Sequence, residues 1–172
     1  MQLSATDSSR SRADHWFAAY SADHQHPLNQ RLHQWCVPSI LWSLIALLYA
    51  IPLGLPFFAL STGFLRDTAA YGAVAWVAAA SALGFWIWLL PWRLALAMMV
   101  VIIACVLSSA LLLATLGAGM LSLLAAGVFV IAWVGQFIGH HVEGKRPSFL
   151  TDLVYLMIGP PWVLIKIGSR SK

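Results

Sequence analysis

The stretch LALAMMVVIIACVLSSALLLATLGAGMLSLLAAGVFVIAWVGQFIGHHVEG, residues 94–144, stays apolar until its last turns. Only Gly117-Ala118-Gly119 interrupts it. A helix needs roughly 20 apolar residues to cross a hydrocarbon core of about 30 Å. Two spans fit, Leu94 to Leu116 and Met120 to Ile138, and so short a connection makes them antiparallel neighbours. On the N-terminal side two further stretches qualify. Tyr71 to Leu90 is joined to the third span by Pro91-Trp92-Arg93, and Pro38 to Leu60 is kinked by Pro52 and Pro56. Ahead of these, Pro27 suits the first turn of a short helix that must end before Pro38.

Composition agrees with lipid as part of the solvent. Of the 172 residues 60% are hydrophobic and 9% charged, whereas a water-facing domain carries about a quarter charged residues. The expectation is an all-α, polytopic integral membrane protein of about four transmembrane helices. Residues 1–14 read as a polar tail and 15–172 as one membrane-embedded domain. The last apolar piece, VYLMIGPPWVLIKIG, is short and broken by Gly159-Pro160-Pro161, so it reads as an interfacial or re-entrant segment. Tryptophans 35, 42, 76, 86, 88, 92, 133 and 162 fall near segment ends, as in an interfacial belt. Cys36 and Cys105 lie at different depths and read as free buried thiols.

Four crossings return both termini to one side. Nine of the ten basic residues then share that side, and only Arg66, beside Asp67, lies opposite. By the positive-inside rule the termini face the cytoplasm. The membrane is a bacterial inner membrane or, in a eukaryote, the endoplasmic reticulum. No basic run points to nucleic acid, and the N-terminal residues lack a signal-peptide core.

The chemistry gathers on histidine. His15, His24, His26 and His33 precede the first span, and His140 and His141 follow the fourth. An even number of crossings brings both groups to one face, the pattern of a metal site for iron, zinc, copper or nickel. Asn29 and His33, four apart, share a helix face, and His24 and His26 precede it. Gln136, His140 and Glu143 lie on one stripe, with His141 about 100° away. His140 and Glu143 invert the Glu-x-x-His pair of bundle metal sites. Glu143 reads equally as a ligand, as a partner orienting a histidine, or as an ion pair with Lys145 or Arg146. His15 and His141 suit interfacial polar roles. His-Glu-x-x-His, Gly-x-Ser-x-Gly, phosphate-cradling glycine loops and Cys-x-x-Cys are absent.

Two signatures then carry a resemblance. One is Tyr20-x3-His24 with Pro27, Asn29, His33 and Pro38. The other is Gln136-Phe137-Ile138-Gly139-His140, Glu143-Gly144-x-x-Pro147-Ser148-Phe149 and Ile158-Gly159-Pro160. From about Trp16 to Leu164 the chain resembles the 2-hydroxy fatty acid dioxygenase family, long carried as a membrane-protein domain of unknown function. Its characterised fungal members are iron(II)-dependent enzymes of fatty acid α-oxidation in the endoplasmic reticulum. The resemblance implies iron(II) as cofactor, with His24, His33 and His140 as ligands; Glu143 joins the candidate set through its spacing from His140. His26 falls where the family varies. Asn29, Lys145 and Arg146 are the candidate substrate-binding residues.

The implied reaction converts a 2-hydroxy fatty acid and dioxygen into the acid one carbon shorter, carbon dioxide and water. Cleavage of the C1–C2 bond releases four electrons, which dioxygen consumes, so no reductase or 2-oxoglutarate enters. The alternative is a non-enzymatic metal- or lipid-binding small membrane protein.

Overall fold

The computed structural model describes residues 5–53, 70–144 and 149–170, with side chains placed at 13–53, 70–144 and 155–169. Five helices follow in order: α1 (Ala5–Asp23), α2 (Pro27–Tyr49), α3 (Ala73–Leu89), α4 (Trp92–Glu143) and α5 (Phe149–Arg170). The all-α class is as expected. Residues 5–14, read above as tail, are helical backbone continuous with the histidine-bearing segment.

Among the described residues two helices, α2 and α4, are long and apolar enough to cross a membrane, where the sequence suggested four separate spans. Three differences account for this. First, α2 is not stopped by Pro38. It starts on Pro27, with His26 in extended conformation accepting the Leu28 N–H, and runs through Pro38 to Tyr49. Pro38 itself is exposed, but Cys36 and Ile40 on either side of it pack against Ala132 of α4 and hold the helix there despite the lost backbone bond. The expected first span is thus shifted towards the N-terminus, and Pro52 lies beyond the helix end at Ala50; Pro56 and Leu60 lie outside the described residues. Second, α3 has 17 residues, at the lower limit for a crossing.

Third, the expected third and fourth spans belong to one 52-residue element, α4, interrupted at Gly117. Gly117 has φ 78° and ψ 164°, a region that only glycine enters freely. The helix folds back there. Trp42 Nε1 donates to Ser108 Oγ, while Cys36 packs against Gly135. A straight helix would separate residues 108 and 135 by about 40 Å, yet Cys36 and Trp42 are about 9 Å apart along α2. Residues 92–116 and 118–143 are therefore two limbs of a hairpin, both lying along α2. The second limb runs antiparallel to it, because Cys36 meets Gly135 and Asn29 meets Gly139.

α5 corrects another expectation. It is helical through Gly159, Pro160 and Pro161. Pro161 has no N–H for the Met157 carbonyl, and the buried Trp86 indole supplies one instead at 2.8 Å. That bond also fastens α5 to α3. The tryptophan belt divides accordingly: Trp35, Trp88 and Trp92 are exposed, whereas Trp86 and Trp162 are buried and bonded inside the fold. Cys36 and Cys105 are buried free thiols. The outer face of the second limb, with Val130, Ile131, Val134, Phe137 and Ile138, is apolar and exposed.

Gly117→Ala is expected to lower the melting temperature of the purified protein, at a cost of about 1–3 kcal/mol. Gly119, helical and with open space around its Cα, should accept alanine with no loss. Equal effects at both positions would rule out Gly117 as the turning point.

Candidate metal centre

Three histidines from three segments meet where the start of α2 and the end of α4 lie side by side. His24, in the connection between α1 and α2, is buried, as is His33 on α2; His140, on α4, is partly exposed. One ligand atom of each lies within 4.8 Å of the others.

The orientation of two of these rings follows from local hydrogen bonding. His24 Nδ1 lies 2.6 Å from the Tyr20 carbonyl, and His33 Nδ1 lies 3.0 Å from the Asn29 carbonyl. A carbonyl only accepts, so each Nδ1 carries its proton. At His24 the backbone cooperates: its own N–H turns to the Ser21 carbonyl, leaving that of Tyr20 to the ring. With Nδ1 protonated, a neutral imidazole presents a lone pair at Nε2. The two Nε2 atoms face each other at 3.0 Å, so two acceptors are in contact. Burial, the largest influence on His24, holds its imidazole below the ordinary histidine range and disfavours a bridging proton.

A metal ion would resolve this contact. Nitrogens bound to one ion at about 2.0–2.1 Å lie about 2.9–3.4 Å apart, which the His24–His33 separation matches. His140 closes the third side, its ring centroid 5.3 Å from His24 and 5.1 Å from His33. Three imidazoles, two of them oriented by backbone carbonyls, are a donor set suited to iron, zinc, copper or nickel.

Of the other sequence candidates, Glu143 does not join the cluster. Its carboxylate accepts the N–H groups of Gln25 and His26 and the Asn29 side-chain amide, at 2.8–3.1 Å. An anion at the start of α2 meets the positive end of that helix. Glu143 thereby clamps the end of α4 to the start of α2 and fixes the distance from His140 to His33. Asn29, named as a substrate contact, is fully buried with Glu143 on one side and Gly139 on the other. It acts in the clamp. His26 caps α2 and is exposed, as are His15 and His141. Lys145 and Arg146 lie outside the described residues.

The cluster opens on a cavity of about 50 Å³. Its walls are two stripes, His33, Val37 and Ile40 on α2 and Trp133, Gln136 and His140 on α4, closed by Tyr20, His24, Tyr155 and Leu156. Tyr20 stacks on His24 at 4.1 Å. α5 is held over this end by Tyr155 donating to Asp23 Oδ2 and Trp162 donating to Ser21 Oγ. Sequence reading missed Trp133, which looked like part of the belt. Its spacing of three and seven from Gln136 and His140 places it on their stripe.

The family model described as "2-hydroxy-palmitic acid dioxygenase Mpo1-like" matches residues 10–170. The chain belongs to this Mpo1-like family. No curated protein and no solved structure matches the chain.

Alanine at Gly139 would drive its Cβ into the Asn29 side chain. Gly139→Ala is expected to weaken metal binding about 10- to 100-fold, measured by titration of the purified protein. Unchanged affinity would show that the Asn29–Glu143 clamp does not set the position of His140.

Proposed function

We propose that this member of the Mpo1-like family is an iron(II)-dependent dioxygenase that shortens 2-hydroxy fatty acids by one carbon, releasing carbon dioxide. The observation that carries the reading is the convergence of His24, His33 and His140 on a small, largely apolar-walled cavity. Iron(II) bound there supplies a Lewis acid for the substrate and the redox capacity that dioxygen requires. Three imidazoles leave room beside them for a chelating carboxylate and hydroxyl. The backbone carbonyls of Tyr20 and Asn29 keep the rings of His24 and His33 from turning, and α5 limits the access of water from above. Lys145 and Arg146, which follow Gly144 in the sequence, are the cationic candidates for attracting the carboxylate.

The proposed setting is a bilayer crossed four times, by α2, α3 and the two limbs of α4. The exposed apolar face of the second limb and the short connection before Trp92 support it. The site and the termini then face the cytoplasm, as the distribution of basic residues favours. An amphipathic acid whose head lies at the interface meets the centre at its natural depth.

Purified, iron-loaded protein given 2-hydroxypalmitate is expected to consume one dioxygen and release one carbon dioxide and one 15-carbon acid per substrate. His33→Ala and His140→Ala should lose iron and at least 100-fold in turnover while still inserting into the membrane. His15→Ala should leave both unchanged, and loss of iron there would show that the ligand set is wrong. A loaded protein without substrate-dependent oxygen uptake would be a metal- or lipid-binding protein instead.

A further inference from the structure

Two polar atoms on the α4 wall of the cavity are buried without a hydrogen-bond partner among the described residues: Gln136 Oε1, an acceptor, and Trp133 Nε1, a donor. Gln136 as a whole is 8% exposed. Buried polar groups are nearly always paired, because leaving water without a replacement bond is costly. Asn29 Oδ1, packed against Gly139 and outside the cavity lining, is a further buried atom without such a partner among the described residues, whereas other indoles of the fold follow the rule. The indoles of Trp42, Trp86 and Trp162 each donate to a protein oxygen. Gln136 and Trp133 depart from it at the cavity, on the same stripe as the proposed ligand His140.

The cavity is also small. Its volume is about 50 Å³. Such a space suits the reacting end of a 2-hydroxy acid, two carbons and three oxygens, rather than a whole 16-carbon acid. What Gln136 and Trp133 meet is therefore the head group. An α-hydroxy acid carries what the wall lacks: a hydroxyl to donate and carboxylate oxygens to accept.

We propose that Gln136 and Trp133 read the 2-hydroxy acid head group, an assignment that rests on the dioxygenase reading above. Gln136 Oε1 accepts the hydrogen of the substrate hydroxyl, and Trp133 Nε1–H donates to the carboxylate. Gln136 is thereby the specificity residue that separates 2-hydroxy from unsubstituted fatty acids. With the unsubstituted acid its acceptor stays buried and unpaired, the kind of contact by which a binding site rejects an analogue lacking one hydroxyl.

The test is equilibrium binding of 2-hydroxypalmitate and of palmitate to iron(II)-loaded protein without oxygen, with iron content measured alongside. Gln136→Met, close to glutamine in shape, is expected to weaken 2-hydroxypalmitate binding about 10- to 100-fold and to leave palmitate binding and iron content unchanged. Trp133→Phe, which keeps the ring and removes the N–H, should weaken both acids by a similar factor. Parallel losses for the two acids in Gln136→Met, no loss at all, or loss of iron would overturn the assignment, the last by making Gln136 a support of the centre. Turnover of 2-hydroxypalmitate by the unaltered protein is scored separately. If it fails, the dioxygenase reading falls; if it succeeds while Gln136→Met binds like the unaltered protein, only the assignment falls.

Discussion

Two imidazole rings, each held by a carbonyl four residues upstream, determine what this end of the molecule can do. The bonds from His24 to Tyr20 and from His33 to Asn29 use the same local device twice, once just beyond a helix end and once inside a helix. Each spends the Nδ1 proton on the backbone and turns the other nitrogen inward. The result is electrostatic frustration, two lone pairs in contact within a buried environment, which a shared cation would relieve.

The rest of the fold brings the third histidine to that pair and keeps it there. α2 is the common support against which both limbs of α4 pack. Glu143 and Asn29 lock the second limb to the start of α2 one turn beyond His140. From the other side, α5 presses Tyr155 and Trp162 onto Tyr20, which in turn stacks on His24. α5 can span its proline pair because Trp86 takes over the carbonyl that Pro161 leaves unpaired. The backbone cost of two prolines in mid-helix thus becomes a tie between α3 and the roof of the site.

Much of this was legible in the sequence. The helical class follows from the long apolar runs, and the histidine cluster from the parity of those runs, which returns residues 24–33 and 140 to one end. What escaped reading was tertiary. Pro38, Pro160 and Pro161 signal helix ends locally, yet neighbours supply packing or a replacement donor that no sequence window contains. Glu143 looked like a ligand because its spacing from His140 is right. The backbone donors at Gln25 and His26 that claim its carboxylate come from the other end of the chain. Trp133 was hidden by its type, since a tryptophan near a span end usually marks an interface. Lys145 and Arg146 lie outside the described residues.

The fold-back at Gly117 carries a geometric consequence. From that turn to His140 the chain is an uninterrupted helix, and the helix is a ruler: each residue advances 1.5 Å and rotates about 100°. Gaining or losing a single residue in this limb would swing the imidazole a quarter-turn or more from its two partners. Length between the turn and the histidine cluster is thus quantised: outward positions such as Val130 and Ile131 accept substitution, whereas insertion anywhere in the limb displaces the cluster.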